Sequence, residues 1–256
     1  MTIRLTTKSE TTTKSTTLQK TTESETTKPT TPRETTAAGK RCADCYQLYQ
    51  EGFTENGIYE ITPSQWSGLP FDVYCKEGWT VIQRRIDGSI SFKRSWDDYK
   101  EGFGSPDSEL WLGNEKLFYL TNQTTYELQI DLIMSDDTTK YLNYDLFRVG
   151  DEENNYKLTL GNYNGNSVCC YFSDKDFMGY HNNQFFTTFD RDNDLSADEN
   201  CAVSHDAGWW FNFCYAANLN GNYFDTGIDG ICVVDRNNFQ YQCGIQYCEM
   251  KTRPLI

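Results

Sequence analysis

Ten cysteines constrain this protein more than any other feature, and all of them lie between Cys42 and Cys248. Such a number is unusual in a reducing cytosol unless the thiols bind metal. Zinc would require clustered Cys and His, but the only histidines are His181 and His205, and the one C-x-x-C motif, Cys42 to Cys45, has no second pair at finger spacing. The cysteines therefore predict disulfide bonds and an oxidising, extracellular compartment.

The first forty residues differ sharply in composition from the rest. Sixteen of them are Thr, interleaved with Lys, Ser, Pro and Glu, and no apolar run exceeds two residues. Such a stretch cannot bury enough apolar surface to offset the entropy lost on ordering. We predict a disordered, Thr-rich, mucin-like stalk over residues 1–40, with a plain flexible tail as the alternative, and one globular domain over residues 41–256.

The predicted domain is strongly acidic. It holds 16 basic and 33 acidic residues, a net charge of −17. This balance disfavours nucleic-acid binding, which needs basic side chains to neutralise phosphates, and it suits cation binding. No run of eighteen apolar residues predicts a membrane span, and the start, MTIRLTTKSE, lacks the apolar region of a signal peptide, so a missing upstream segment stays open. Asn122 begins a sequon and is a predicted glycosylation site.

Local patterns predict both short helices and strands. Residues 43–51 and 95–104 favour short helical segments that end at glycine. Period-two runs over 79–86, 125–134 and 155–163 predict strands. From about residue 161 the sequence turns to Gly, Asn, Asp and aromatic residues, so we expect a loop-rich half held by disulfides and bound ions rather than by sheet ladders.

The stretch DRDNDLSADENC, residues 190–201, carries an acidic side chain at every second position from Asp190 to Asp194. An EF-hand loop requires glycine at its sixth position and glutamate at its twelfth, where this stretch has Leu195 and Cys201. The EF-hand is therefore excluded. A different calcium site and a solvated acidic turn both remain open on composition.

Several longer motifs resemble one family in order and spacing. They are GWTVIQRRIDGSISFKRSWDDYKEGFG, ELWLGNEKLFYLT, TTFDRDND, NCAVSHDAGWWFNFC, NLNGNYF and EMKTRP. From about Cys45 to Pro254 the sequence resembles the fibrinogen-related domain, the C-terminal globe of fibrinogen chains, ficolins, tachylectins, angiopoietins and tenascins. The resemblance implies an α+β globe with a twisted antiparallel sheet, short helices and a loop-rich C-terminal subdomain that binds calcium and ligand.

The resemblance also implies two disulfides, Cys45–Cys75 and Cys201–Cys214. An even number of cysteines is then left over, which favours further bridges of undetermined pairing. Cys42, beside the stalk, is our candidate for an interchain bond and for homo-oligomer formation, with an intradomain bridge as the alternative. The surplus cysteines are Cys42, Cys169, Cys170, Cys232, Cys243 and Cys248.

Carried over from the family, the calcium ligands would be the carboxylates of Asp192 and Asp194 and the backbone carbonyls of Ser196 and Asp198. The spacing from Asp194 to Cys201 is one residue longer here than in the family pattern. Asp190 would lie outside the coordination shell. The resemblance therefore implies one Ca²⁺ that fixes this loop.

In the lectin members of the family, a neighbouring pocket admits an acetyl group beside a peptide bond that is often cis. Here that bond would be Cys214–Tyr215, where the lectins usually have histidine after the cysteine. The Trp209–Trp210 pair is interpreted as core packing. The remaining positions that correspond to the pocket are His205, Gly227, Ile228 and one of Phe239 or Tyr241.

These features imply a secreted, calcium-stabilised lectin that binds glycans or acetylated groups on microbial or cell surfaces in innate immunity. The alternative is an adhesive or receptor-binding signalling module of the angiopoietin or tenascin kind. An enzyme is not expected, since the sequence has no G-x-S-x-G or H-E-x-x-H motif and only two histidines.

Overall fold

The structure, a computed structural model, describes residues 41–165, 176–235 and 240–256, without the side chains of residues 235 and 240–242. The predicted stalk, Cys169, Cys170 and Phe239 lie outside the described residues. The α+β class is confirmed: short helices flank an antiparallel sheet. The strands of that sheet are β1 Gly57–Ile61, β2 Phe71–Lys76, β3 Trp79–Arg85, β4 Phe103–Gly104, β5 Leu110–Trp111, β6 Tyr126–Ile133, β7 Thr139–Tyr144 and β13 Tyr247–Pro254.

The strand order is β1-β2-β3-β13-β6-β7; β5 pairs with β3 at Gln83 and Arg84, and β4 pairs with β5. β6 alternates strictly, with Tyr126, Leu128, Ile130 and Leu132 buried, as its period-two pattern predicted. β3 is buried along its whole length because strands pair with both of its edges and both of its faces are covered.

The last strand, β13, was not expected from the sequence. It lies at the centre of the sheet, antiparallel to β3 and β6, with Met250 opposite Gln83 and Ile130. The expectation that the residues beyond 161 form no sheet ladder is therefore wrong for this segment. EMKTRP has few β-branched residues, so only its non-local partners make it a strand.

The α-helices among the described residues are α1 Cys45–Gln50, α2 Trp96–Glu101, α3 Asn114–Thr121 and α4 Cys201–Ser204. Three of these four begin at a residue whose side chain caps them, and α3 begins after Gly113 without such a cap. Asp44 accepts the Gln47 N–H at 2.8 Å, and Ser95 and Asp98 form a reciprocal capping box. α2 ends at Gly102, whose φ is 91°; a Cβ there would lie 2.3 Å from the Leu112 carbonyl oxygen, so only glycine fits.

The predicted strand over 155–163 is shorter than expected. Asn155 and Tyr156 adopt left-handed backbone angles after a 3₁₀ turn over Glu152–Asn154. Only Leu158–Leu160 extends as β9, paired with β8, Phe147–Val149. The Tyr156 side chain is fully buried, so its tertiary packing prevails over the local strand pattern.

Short ladders and disulfides hold the C-terminal half. β10 Ala217–Asn218, β11 Cys232–Asp235 and β12 Gln240–Gln242 form a three-stranded sheet. The predicted bridges Cys45–Cys75 and Cys201–Cys214 are present, and a third, Cys232–Cys243, pairs two of the surplus cysteines. Cys42 and Cys248 are both buried, at 2% and 0% exposure, so an interchain bond through Cys42 would require its segment to open.

A cluster of aromatic side chains joins the sheet to this loop-rich half. Trp209 and Trp210 are fully buried against Trp111 of β5, with ring centroids 6.5 and 5.8 Å from it. Tyr99 and Phe186 complete the cluster. The interpretation of the Trp pair as core packing is therefore confirmed.

Buried charge crosses the centre of the sheet. The carboxylate of Glu249 accepts from Arg84 Nε at 2.8 Å and from Lys76 Nζ at 3.1 Å, and its side chain is 1% exposed. Burial alone would raise the pKa of Glu249, but the Arg84 and Lys76 charges outweigh it and lower the pKa below its usual range. A carboxylate with a depressed folded-state pKa contributes stability at neutral pH.

This pairing predicts a specific loss of stability in acid. Glu249→Gln should lower the free energy of unfolding at neutral pH by about 1.5–3 kcal/mol, because Arg84 loses a charged acceptor. The folded pKa lies below the unfolded value, so the contribution is complete above the unfolded pKa and is lost as the pH falls through the folded pKa. Denaturant unfolding should therefore show the difference between wild type and variant shrinking as the pH falls from about 7 to about 3.

The matched control is Glu127→Gln, whose partner Arg253 is partly exposed. It should change the free energy of unfolding by less than about 1 kcal/mol. A difference between wild type and Glu249→Gln that stays constant over the pH range would contradict the role given to Glu249.

Candidate calcium and ligand site

The acidic loop is fixed at its base to the aromatic cluster. Thr187 and Trp209 exchange two backbone hydrogen bonds of 2.9 and 3.1 Å. The side chain of Asn193 donates to the Phe186 carbonyl at 2.7 Å, and its backbone N–H donates to the Thr187 hydroxyl at 3.1 Å. The loop therefore leaves and rejoins a rigid core within a few residues.

Asp190 has a structural role at the start of the loop. Its carboxylate accepts the Trp96 N–H at 2.9 Å and the Thr188 hydroxyl at 2.7 Å. These bonds tie the loop to the first turn of α2. They direct the Asp190 carboxylate to a different set of partners from those of Asp192 and Asp194.

Asp192 and Asp194 are brought together. The Asp194 N–H donates to the Asp192 carboxylate at 3.2 Å, and the Asp194 carboxylate accepts the N–H groups of Ser196 and Cys201, each at 2.8 Å. Burial raises the pKa of Asp194 above its usual range; the two N–H bonds oppose this rise, and the Asp192 charge adds to it. Neither of these neighbouring carboxylates, one of them half-buried, has an ion-pair partner among the residues that the structure describes.

Two backbone carbonyls follow on the same loop. Among the described residues, no hydrogen-bond donor reaches the carbonyl oxygen of Ser196 or that of Asp198. Within this same part of the protein, no group of three or more His, Cys, Asp and Glu side chains is placed to hold a metal ion. The donor set is thus two carboxylates and two free carbonyls, all of them hard oxygen ligands of the kind calcium prefers.

The Cys201–Cys214 disulfide connects this loop to the predicted ligand pocket. Asn200 caps α4 through its side chain, which accepts the N–H groups of Ala202 and Val203 at 2.8 and 3.1 Å. Leu195 donates its N–H to the Asn212 carbonyl at 3.1 Å. Together, the backbone bond and the bridge hold the acidic loop against the segment before Tyr215.

Buried His181 fixes the far side of that segment. Its Nε2 accepts from the N–H groups of Ala216 and Ala217 at 3.2 and 3.0 Å, so Nδ1 carries the proton and donates to the Trp210 carbonyl at 2.7 Å. Sequence reasoning assigned His181 no role beyond its part in excluding zinc. The only feature of the sequence that could have drawn attention to His181 is that histidine is scarce in this protein.

The predicted pocket residues do meet, but they pack against one another. The rings of His205 and Tyr215 form an edge-on pair 4.8 Å apart, and His205 Nδ1 lies 3.0 Å from the Asp229 carboxylate. The Tyr215 hydroxyl donates to the Ile228 carbonyl. The exposed fractions are 13% for the His205 side chain and 8% for Tyr215, so neither offers a ring face on which a sugar could stack.

The Cys214–Tyr215 bond, which corresponds to the often-cis bond of the lectins, is trans, and no peptide bond among the described residues is cis. The backbone turns there because Cys214 adopts a φ of 50°. Gly227, which precedes Ile228, is exposed, whereas Phe239 and the side chain of Tyr241 lie outside the described residues.

Four exposed apolar side chains lie on segments that are linked to this closed pocket, and sequence reasoning missed them as a group. Phe213 precedes Cys214, Leu195 is bonded to neighbouring Asn212, Val203 lies on α4 and Ile228 bonds Tyr215. Their exposed fractions are 67, 51, 53 and 49%. No sequence periodicity relates four residues drawn from four separate segments.

The predicted sequon lies elsewhere, at the end of α3. Asn122 is exposed, and its Nδ2 donates to the carbonyls of Phe118 and Val149, each at 2.8 Å. Glycosylation would replace one of these two hydrogens. The site therefore stays a prediction.

No helix among the described residues combines the length and the apolar character needed to cross a bilayer.

The family described as fibrinogen beta and gamma chains, C-terminal globular domain, matches residues 41–255. Fibrinogen-like protein 1 of Bos taurus is 44% identical over 197 residues, which cover 72% of this protein and 62% of that one. Angiopoietin-related protein 7 of Mus musculus is 39% identical over 222 residues, covering 82% and 63%.

Solved structures give the same assignment. The fibrinogen-like globe domain of human ANGPTL2 aligns with a TM-score of 0.76 at 36% identity, covering 84% of this protein and all of that domain. A lamprey fibrin D-dimer in complex with the peptide Gly-His-Arg-Pro-amide aligns with a TM-score of 0.72 at 34% identity, covering 84% and 74%. The matched region spans less than two thirds of the length of the curated relatives named above. Residues 41–255 belong to the fibrinogen C-terminal globular domain family, a family of recognition and signalling modules.

Proposed function

We propose that this protein is a secreted recognition module in which one calcium ion fixes the acidic loop and an adjacent apolar surface binds a protein partner. We call that surface the recognition face and define it as Leu195, Val203, Phe213 and Ile228. Three disulfides among the described residues support an extracellular location.

The donor set supports the calcium part of the proposal. The carboxylates of Asp192 and Asp194 and the carbonyls of Ser196 and Asp198 would hold the ion, and water would complete the six to eight ligands that calcium takes. When bound, the ion would neutralise the paired carboxylates. Leu195 lies in the middle of this loop, so ordering of the loop by the ion would fix the position of the Leu195 side chain.

Phe213 carries the argument for a partner surface. Its backbone is clamped on both sides by one hydroxyl: the Phe213 N–H donates to Tyr180 Oη at 3.2 Å, and the same hydroxyl lies 3.3 Å from the Phe213 carbonyl. The ring is nevertheless 67% exposed. A large apolar ring held out by a fixed backbone is preorganised for contact, and aromatic anchors of this kind dominate binding energy at protein interfaces.

The closed pocket favours a protein partner over an acetylated glycan. Opening the pocket to a sugar or acetyl group would break the bond from Tyr215 to Ile228 and separate the His205–Tyr215 ring pair. The recognition face needs no such rearrangement. The fibrinogen-like and angiopoietin-related relatives are compatible with a protein partner.

Calcium should stabilise the folded protein. At a concentration about ten times its dissociation constant it would add about 1.4 kcal/mol, which raises the melting temperature by about 3–6 °C for a domain of this size. Asp192→Asn should remove most of this rise, because it halves the charge available to the ion. Differential scanning calorimetry with calcium or chelator measures both effects.

The matched control is Asp198→Asn, which alters an exposed side chain but leaves the proposed carbonyl ligand in place. It should keep the full calcium response. An equal response in wild type and Asp192→Asn, or no response in wild type, would sink the calcium proposal.

The recognition face predicts which substitutions abolish binding. Phe213→Ser should weaken binding to a partner ectodomain by at least about tenfold, as expected for the loss of an aromatic anchor worth about 1.4–3 kcal/mol. Leu195→Ser should act in the same direction. Surface plasmon resonance against a panel of purified receptor ectodomains and an array of glycans and acetylated compounds gives the measurement.

Leu69→Ser is the control, since Leu69 is 86% exposed in the connection between β1 and β2, outside the recognition face. It should leave binding unchanged. Binding to acetylated compounds that tolerates Phe213→Ser but fails in His205→Ala would instead support the lectin function.

A further inference from the structure

Arg191 lies directly before Asp192, the first of the two carboxylates assigned to calcium, yet its guanidinium is held by other groups. Among the described residues, Arg191 pairs with Glu152 and makes no ion pair with Asp192 or Asp194. An arginine fork matches the two oxygens of a carboxylate, so a free guanidinium beside these acids would compete with calcium for them. The contacts that hold it elsewhere therefore bear on the calcium site.

Three side chains hold the guanidinium, and we call them the arginine clamp: Trp96, Glu152 and Asn155. The Arg191 Nη2 donates to Asn155 Oδ1 at 2.7 Å, and its Nη1 lies 3.7 Å from the Glu152 carboxylate. The guanidinium carbon lies 3.9 Å from the centroid of the Trp96 ring, which is a cation–π distance. The cation is thus met by an amide oxygen, a carboxylate and an aromatic face.

Glu152 is fixed independently of Arg191. Its carboxylate accepts from Lys100 Nζ at 2.6 Å and from Trp96 Nε1 at 2.8 Å. The hydrogen bonds from Lys100 and Trp96 lower the pKa of Glu152, so Glu152 carries its charge at neutral pH. The carboxylate of the clamp is therefore in place and ionised before it meets the guanidinium.

Trp96 connects the clamp to the rigid core. Its ring stacks on that of Tyr156, with centroids 5.4 Å apart, and Trp96 is 5% exposed. The Tyr156 carbonyl accepts from Trp210 Nε1 at 2.8 Å. The aromatic surface that Arg191 contacts is thus attached to the same Trp pair as the acidic loop.

The backbone of Arg191 is held separately from its side chain. Thr188 and Arg191 exchange two backbone hydrogen bonds of 3.0 and 3.1 Å, and the Thr188 carbonyl also accepts from Asn200 Nδ2 at 3.1 Å. The Arg191 side chain, in contrast, is 38% exposed. Loss of the clamp would therefore free the guanidinium to turn towards Asp192 without unfolding the loop.

We propose that Arg191 is a positioning residue for calcium: the arginine clamp keeps its guanidinium off Asp192 and Asp194, so these carboxylates stay free for the ion. The inference rests on the proposed calcium site. It adds a coupling that the ligand set does not contain, because Glu152 supplies no ligand to the ion. A change at α2 or at the 3₁₀ turn that withdraws Glu152 from Arg191 lowers the calcium affinity.

Isothermal titration calorimetry of calcium binding tests this with Glu152→Gln, which keeps an oxygen acceptor for Trp96 but removes the charge that Arg191 meets. The dissociation constant for calcium should rise about three- to fivefold, the size expected for one partly exposed ion pair. Glu153→Gln is the matched control, since it removes the same charge from the next residue, which is exposed. It should change the dissociation constant by less than about twofold, because solvent and salt screen a charge of this kind.

A second substitution separates competition from loss of support. When Glu152→Gln is combined with Arg191→Gln, the competing charge is gone, so the dissociation constant should fall back to the wild-type value or below it. Both side chains are partly exposed, so neither change should unfold the domain, and circular dichroism in chelator checks this.

Two results would overturn the proposal alone. One is equal calcium affinity in wild type and Glu152→Gln, and the other is a double variant that binds calcium no better than Glu152→Gln, as expected if Arg191 only supports the loop. Absence of calcium binding by the wild-type protein would instead remove the proposed calcium site, and this inference with it.

Discussion

The packing of Trp209 and Trp210 against Trp111 is the contact on which the rest of the structure depends. A half-domain with short ladders cannot hold its loops through backbone pairing alone, so its loops need an anchor elsewhere. Each buried aromatic ring removes about 150–250 Å² from water. The acidic loop is hydrogen-bonded to Trp209 through Thr187, and His181 is hydrogen-bonded to the Trp210 carbonyl. Both sides of the candidate site are therefore attached to this one Trp pair.

The parts of the fold that are decided locally could be predicted from the sequence. β6 has a strict two-residue alternation, and α2 has a complete capping box, so both could be recognised without tertiary information. β13 could not be recognised in this way, because its strand conformation results from pairing with β3 and β6, which lie more than a hundred residues earlier in the sequence. The strand predicted over 155–163 was too long for a related reason: Tyr156 turns inward to the core, and the local pattern cannot show this.

The calcium and ligand roles of the candidate residues stay predictions; the sequence anticipated which of them lie close together, but not that their pocket is closed. Family resemblance pointed to Asp192 and Asp194, which lie together in the structure. It also pointed to His205 and Tyr215, but whether their pocket is open depends on the φ of Cys214 and on one bond to Ile228, which no motif encodes.

Calcium binding and the recognition face form one mechanical unit in the proposed function. The Leu195 bond to Asn212 and the Cys201–Cys214 bridge are the two links between them. Hydrogen exchange of individual amides, with calcium and with chelator, tests this most directly. We predict slower exchange with calcium at Ser196 and Cys201, whose N–H groups bond Asp194, and at Leu195, with no change in the amides of β6. Equal exchange in the acidic loop under both conditions would contradict the account.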